Sequence, residues 1–333
     1  SITMATKINR PVHDIISIGD ATLDHFVQIN TASLLCNINE RDCWLCLKYS
    51  EKVPIDGLIS TIGGNACNNA VGSARLGLKA AFFSIIGDDD VGQKILKFVK
   101  QEKVSLKYLM VKKNTASNLS IALRYKTERT ILVYHEPRRY TLPTLSSSKW
   151  IYLTSLGKEF GTVHDQLIKQ LDSTGASLAF NPGTHQLLAS VKKLAPILKR
   201  SNVLIVNKEE AQMLLGDHQK DTYAQLMENL RVLGPEIVVV TDGEHGAYAF
   251  DGKKRYHIKP APAKVLERTG AGDAFSTGFL AALSREKTIA DALAWGAANS
   301  ASVIEHVGPQ AGLLSTPKLL ARIRKGKCRA TEI

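Results

Sequence analysis

Short runs of apolar, β-favouring residues recur along the chain at 15–18, 81–86, 150–153, 178–180, 203–206 and 237–240. In each, consecutive rather than alternate positions are apolar, which is the pattern of a strand covered on both faces. Between and after them, apolar positions repeat at three- and four-residue spacing over 66–76, 93–101, 164–172, 208–215, 224–233 and 274–283. Those segments read as helices with one buried face. Strands alternating with helices predict βαβ units and an open, mostly parallel α/β sheet.

Two stretches break this rhythm. Residues 22–62 and 116–135 hold strand-like pieces at 26–29, 44–49, 118–125 and 130–134, with no clear helical pattern. They flank one βαβ passage, so a small separate sheet built from two excursions, a lid, is the expectation. One domain over 12–315 is expected to contain both excursions, followed by a basic C-terminal tail over 316–333. No internal repeat or low-complexity linker is visible.

Composition narrows the class. The 333 residues are 44% hydrophobic and 22% charged, which is globular and excludes wholesale disorder. No apolar run approaches the ~20 residues that cross a bilayer. The first fourteen residues lack the apolar core of an export signal, and five cysteines make no disulfide framework. A cytoplasmic protein without a membrane partner is therefore expected. Lys and Arg number 43 against 31 Asp and Glu, a net charge of +12. The basic residues are spread out except for the cluster from Lys318 to Arg329, and no aromatic residues interleave with them. That pattern fits a solvated basic surface, or a field for small anions, better than a nucleic-acid partner.

Five segments carry chemistry. In Thr269-Gly270-Ala271-Gly272-Asp273 two glycines open a helix, which places the amides of Gly270, Ala271 and Gly272 at its N-terminus as an anion site. An Asp there repels phosphate but suits a general base taking a proton from an attacking hydroxyl; a helix-capping Asp on a structural turn is the alternative. Asp20 follows the first buried strand, where open α/β sheets bind ligands, and a carboxylate there can hold a polyol. Gly63-Gly64-Asn65 leads into a helix with Asn65 and Asn68 on one face, more amides than capping needs. Asn207 and Glu210, three apart after the strand at 203–206, form either a capping box or a pair that orients Mg²⁺-bound water. Thr241, Gly243 and Gly246 follow the strand at 237–240 as a strand-end turn of the sort that lines a nucleotide site.

Together these ordered segments resemble the PfkB/ribokinase-type carbohydrate kinases, over about 15–312. The resemblance implies a ribokinase-like fold: a doubly wound, mostly parallel sheet flanked by helices, with a small β lid. It implies an ATP-dependent phosphotransferase acting on a hydroxymethyl group of a sugar. Asp273 matches the catalytic base and Gly270, Ala271 and Gly272 the anion hole. Asp20, Gly64, Asn65 and Asn68 match the positions that hold the sugar. Asn207 and Glu210 match the pair associated with Mg²⁺, through water, and phosphate. Thr241, Gly243 and Gly246 match nucleotide-side positions, and Asn299 matches one near the adenine. The family also contains nucleoside kinases for adenosine, guanosine or cytidine, which is the alternative acceptor class. A non-catalytic sugar- or nucleotide-binding protein on the same fold is the alternative from another class. Relatives often pair as homodimers through the lid.

The chain departs from the family pattern in places. Glu267 stands where an Asp is usual, near a monovalent-cation site in relatives, which leaves K⁺ use open. Ribokinases commonly have Lys where this chain has Asn65, which leaves ribose itself open. The first excursion is long, with an extra segment at about 30–42. Near it, Cys36, Cys43 and Cys46 include a C-x2-C spacing that suits metal or redox chemistry. In a strand Cys43 and Cys46 face opposite ways, so structural thiols are the expectation. Asp88, Asp89 and Asp90 read as a helix-capping turn, and His135, Arg138 and Arg139 as a solvated edge within reach of the substrate.

Overall fold

The computed structural model describes residues 10–37, 43–126, 128–216 and 218–333. The first nine residues of the stretch without an export signal, and 38–42 of the extra lid segment, lie outside that description. The main sheet begins with β1 (His13–Ile18). The chain then leaves it through β2 (Thr22–Gln28), β3 (Ser33–Cys36), β4 (Cys43–Cys46) and β5 (Gly57–Gly63). It returns by α1 (Asn65–Arg75), β6 (Ala80–Gly87), α2 (Asp90–Gln101) and β7 (Ser105–Lys112), and leaves again as the hairpin of β8 (Leu119–Tyr125) and β9 (Glu128–Tyr134).

Regular alternation follows: β10 (Ser148–Leu153), α3 (Phe160–Thr174), β11 (Ser177–Phe180), α4 (Thr184–Leu187), α5 (Val191–Arg200), β12 (Val203–Asn207), α6 (Lys208–Leu215), α7 (Tyr223–Val232) and β13 (Ile237–Thr241). The last part holds β14 (Ala247–Phe250), β15 (Arg255–Ile258), α8 (Ala271–Ser284), α9 (Ile289–Val303), α10 (Thr316–Gly326) and β16 (Thr331–Glu332).

Ten strands form the main sheet, in the order β16-β15-β14-β13-β12-β11-β10-β1-β6-β7. Every pair from β13 to β7 is parallel, and β14 to β16 close the other edge antiparallel. Both faces are covered. One packs Ile16, Ile18, Leu153 and Phe180 against Phe160, Leu167 and Leu194. The other packs Ile15, Tyr152 and Val239 against Phe279, Leu280 and Leu293 of α8 and α9. Continuous apolar strands are the direct consequence of that double burial. Helices α8 and α9 meet closely because Gly278 faces the Trp295 carbonyl, where an added Cβ would stand 2.5 Å away.

The lid is a four-stranded sheet in the order β5-β2-β8-β9. Its content differs from the expectation in one strand. The segment after Trp44 does not join it; β4 pairs with β3 in a separate two-stranded ribbon, and the lid takes β5 instead. Residues 57–60 are solvent-exposed and lack the apolar run used to find strands. The ribbon also corrects the reading of its cysteines as thiols. Cys36 and Cys43 are cross-strand partners, close enough to bond, and they form a disulfide. Cys46 keeps its thiol, against the Trp44 carbonyl. Among the described residues no group of three or more His, Cys, Asp and Glu is placed to hold a metal.

Residues 316–333, expected as a tail, are folded. Leu319 of α10 is fully buried against α8 and α9, and β16 pairs with β15. The charge pattern hid this, because the helix keeps its basic residues outside and needs few apolar ones inside. Asp89 caps α2 as expected, accepting from the Gly92 N–H at 2.8 Å. Among the described residues no helix is long and apolar enough to cross a membrane.

Candidate active site

The carboxyl ends of β1, β12 and β13 and the N-termini of α1 and α8 converge, as the parallel topology requires. Gly270 precedes α8 with φ +80°, a left-handed conformation that glycine adopts without strain, and a Cβ there would meet the Pro309 Cβ at 2.5 Å. Asp273 is the third residue of α8 and therefore not its cap. The Ala271 N–H closes a turn onto the Arg268 carbonyl at 3.3 Å. Within the expected trio, the Gly270 and Gly272 amides are thus the candidates for an anion. An added Cβ at Gly272 would meet nothing within 4 Å, so the backbone there is open to close approach.

Asp273 is 9% exposed, and its Oδ2 accepts from Asn68 Nδ2 at 2.7 Å. Gln310 Nε2 in turn donates to Asn68 Oδ1 at 2.7 Å and fixes which way the amide points. Burial pushes the Asp273 carboxyl up to about 6, against the lowering effect of the Asn68 bond. Asn68, expected to hold a sugar hydroxyl, bonds within the protein at each end of its amide and orients the carboxylate, with one further N–H and one further lone pair beyond these two bonds.

A cavity of about 230 Å³ gathers Asn65, Asn207, Glu210, Thr241, Asp273 and the 270–272 turn. Asn207 and Glu210 form a reciprocal capping box at the start of α6, with bonds of 2.9 and 2.8 Å. They also face this cavity, so the two readings of the pair are compatible. Burial raises the Glu210 carboxyl above its usual range, and the nearby Asp273 charge adds to this.

A second, larger groove of about 390 Å³ adjoins the first. Thr241, Ala271 and Gly272 line both spaces, while Gly243, Gly246 and Phe275 line the groove alone. Gly246 has φ +86° and lies against the Ile258 carbonyl, where a Cβ would stand at 1.9 Å. Asn299 lines neither space. It is fully buried, donating to the Ala274 carbonyl at 2.8 Å and accepting from the Leu314 N–H at 3.2 Å. These bonds join α8, α9 and the segment leading to α10, so the residue expected near a bound base is buried and is not part of the groove's lining.

Asp20 and Gly64 form a third group. Gly64, with φ +94°, packs against the Asp20 carbonyl, which a Cβ would approach to 2.4 Å. Tyr140 donates its hydroxyl across both Asp20 oxygens, at 2.9 and 2.7 Å, and His135 Nδ1 lies 3.7 Å from the carboxylate. Burial raises the Asp20 carboxyl to about 6, opposed by the Tyr140 bond and the Arg138 charge. Arg138 is buried beneath, donating to Thr115 and to the Ala116 carbonyl, so it is not the solvated edge expected.

Sequence reading missed Tyr140, Asn181 and Arg268, which hold Asp20 or line the cavities. Nothing in their spacing marks them. Arg129 also lines the smaller cavity from lid strand β9. It and Arg124 read as surface charge, although their place on the two arms of one hairpin was a usable signal.

A family model described as pfkB family carbohydrate kinase matches residues 38–317. An uncharacterized sugar kinase of Archaeoglobus fulgidus is 27% identical over 257 residues, covering 73% of this chain and 98% of that protein. The structure of Arabidopsis thaliana ribokinase complexed with ribose and ATP aligns with a TM-score of 0.78 at 20% identity, over 94% of this chain and 99% of that one. Burkholderia thailandensis nucleoside kinase in complex with inosine aligns with a TM-score of 0.75 at 19% identity, over 94% of this chain and 98% of that one.

Proposed function

The chain belongs to the pfkB family of carbohydrate kinases, and from that premise we propose that it transfers a phosphoryl group from MgATP to a hydroxymethyl group of a sugar, with Asp273 as general base. The observation that carries this reading is the setting of Asp273. Its buried carboxylate is aimed by Asn68 into the same small cavity as the Gly270 and Gly272 amides. One group can take a proton there while the others meet developing negative charge, which is the division of labour phosphoryl transfer needs.

In this reading the acceptor is held from the side of Asp20, Gly64 and Asn65. The larger groove takes the nucleotide, with its phosphates passing Ala271 and Gly272, two of the residues shared by both spaces. Asp273 removes the hydroxyl proton as the acceptor oxygen attacks phosphorus, and ADP leaves with the electron pair of the broken bond. A carboxyl that titrates at about 6 is ionised at neutral pH yet basic enough to share the proton in the transition state.

Glu210 and Asn207 would hold Mg²⁺ through water. Two carboxylates, Glu210 and Asp273, face one small cavity, and a divalent cation relieves their repulsion. When bound, it neutralises charge on the phosphate oxygens. Burial by the lid limits hydrolysis of the donor by water.

The lid also supports a homodimer. Every residue of β9 is solvent-exposed, Leu58, Ile59, Ile131, Leu132 and Val133 among them, and β5 and β9 are open sheet edges. Exposed apolar edges of this kind are normally covered.

The test is ADP release from MgATP across ribose, fructose, 2-keto-3-deoxygluconate, adenosine, guanosine and cytidine, with Asp273→Asn as control. Turnover with a sugar that the variant loses supports the proposal. Turnover confined to nucleosides moves the chain to the nucleoside-kinase reading. ATP binding with no turnover of any acceptor leaves a binding protein as the better account.

A further inference from the structure

Glu267 is the least solvated charged group beside the 270–272 turn, with its side chain 4% exposed. A carboxylate buried this far needs partners that satisfy its charge. Some are local: Oε1 accepts from the Arg268 and Thr269 N–H groups at 2.9 and 3.1 Å and from the Thr269 hydroxyl at 2.9 Å. The others come from the lid. Arg129 Nη1 of β9 donates to Oε1 at 3.1 Å, and Arg124 Nε of β8 lies 3.7 Å from Oε2.

The two arginines are directly opposite each other across the β8–β9 ladder. Like charges at such a position destabilise a sheet unless something neutralises them. Glu267 does so, but it belongs to the other part of the molecule, so the hairpin is relieved of its repulsion when the lid rests on the turn. One carboxylate against two guanidiniums leaves one unit of positive charge. Arg129 also lines the cavity that holds Asp273 and the Gly270 and Gly272 amides.

We propose that Arg124 and Arg129 latch the lid to the anion-hole turn through Glu267, and that this contact positions the Arg129 guanidinium at the phosphoryl-transfer cavity. The transfer role rests on the kinase reading above; the latch itself does not. Glu267 is the positioning residue: it sets the place of the Arg129 guanidinium and ties the conformation of the turn to that of the lid.

The experiment separates the two parts. Nitroxide labels are placed by Val133→Cys on the lid and Val232→Cys at the end of α7, in a chain with Cys46→Ser and Cys328→Ser; because Val133 lies on the edge proposed to pair, the labelled chain is diluted with unlabelled chain so that only distances within one protomer are read. Pulsed electron resonance then reads the distance distribution without ligand. Glu267→Gln keeps an oxygen for the turn amides and removes the charge. Its distribution, and independently that of Arg124→Gln/Arg129→Gln should Glu267→Gln not fold, is expected to broaden and shift to longer distance. An unchanged distribution in either folded variant overturns the latch, whatever the enzyme turns over. With the acceptor found by the panel, Arg129→Gln is expected to lower kcat by about 10-fold or more, as loss of a charged contact at a transferring group does, with KM for MgATP little changed. Arg129→Lys should recover part of that loss. A normal kcat in Arg129→Gln overturns the positioning role while leaving the kinase reading intact.

Discussion

Asn68 and Asp273, 205 residues apart in sequence, are joined by a 2.7 Å hydrogen bond from amide to carboxylate. The bond ties the first turns of α1 and α8 together and sets the direction of the proposed base. It also opposes the desolvation that raises the Asp273 carboxyl.

Replacement of that base should separate activity from stability. Asp273→Asn is expected to lower kcat by about 10²–10⁴-fold, the scale of a lost general base. The sign of its stability effect follows from linkage. The folded carboxyl titrates at about 6 instead of 3.8, so its contribution to stability is fully present below pH 3.8 and lost as pH rises through 6. Above pH 6 the native chain therefore bears an ionised buried group, a cost of about 1–3 kcal/mol. Asp273→Asn should melt higher than the native chain at pH 8 and lose that advantage as pH falls toward 4. Thermal melts at the two pH values check this.

The acid limb of the kcat profile should fall near pH 6, where Asp273 becomes protonated. Asn68→Ala removes the bond that lowers this value, so its limb should move to higher pH. Profiles of both proteins with the same acceptor decide the point; an unmoved limb would show that another group titrates.

Tyr140→Phe deletes the donor that spans both Asp20 oxygens. If Asp20 holds the acceptor, KM for the acceptor should rise by about 10–100-fold, from about 1–3 kcal/mol of lost buried hydrogen bonding. KM for MgATP should not follow, since Tyr140 lines neither the groove nor the transfer cavity.

Gly270→Ala tests the turn. Its φ of +80° and the 2.5 Å approach to Pro309 leave no room for a methyl group. A stability loss of about 1–3 kcal/mol is expected from backbone strain, together with a loss of kcat as the amides shift. Calorimetry and turnover on one preparation measure both.

Monovalent cations should matter little. Two guanidiniums already occupy the Glu267 carboxylate. Rates in K⁺ and Na⁺ at equal ionic strength should agree; strong K⁺ activation would show that a cation binds without this carboxylate.

Much of the architecture was legible along the chain. The buried runs at β1, β6, β10, β11, β12 and β13 announce themselves because double burial demands unbroken apolar sequence. Asp273, the 270–272 turn and the Asn207–Glu210 pair were legible because each sits at a strand end or helix start, where local geometry dictates residue type. β5 was not, because half of it faces solvent, and neither was α10, because its burial rests on Leu319 and a few partly covered neighbours.

By itself, then, the sequence determined the alternating α/β layout and the positions where chemistry could stand. Only the tertiary structure decided what each side chain does there. It aimed Asn68 at Asp273, buried Asn299 off the lining of the groove, and bonded Cys36 to Cys43. It also brought Arg124 and Arg129 of the lid onto Glu267. The reason is physical. Strand and helix patterns are written in neighbours one to four residues apart, whereas a hydrogen bond between residues 68 and 273, or an ion pair between 129 and 267, exists only when packing closes a long loop. No local spacing records which of several polar groups will meet.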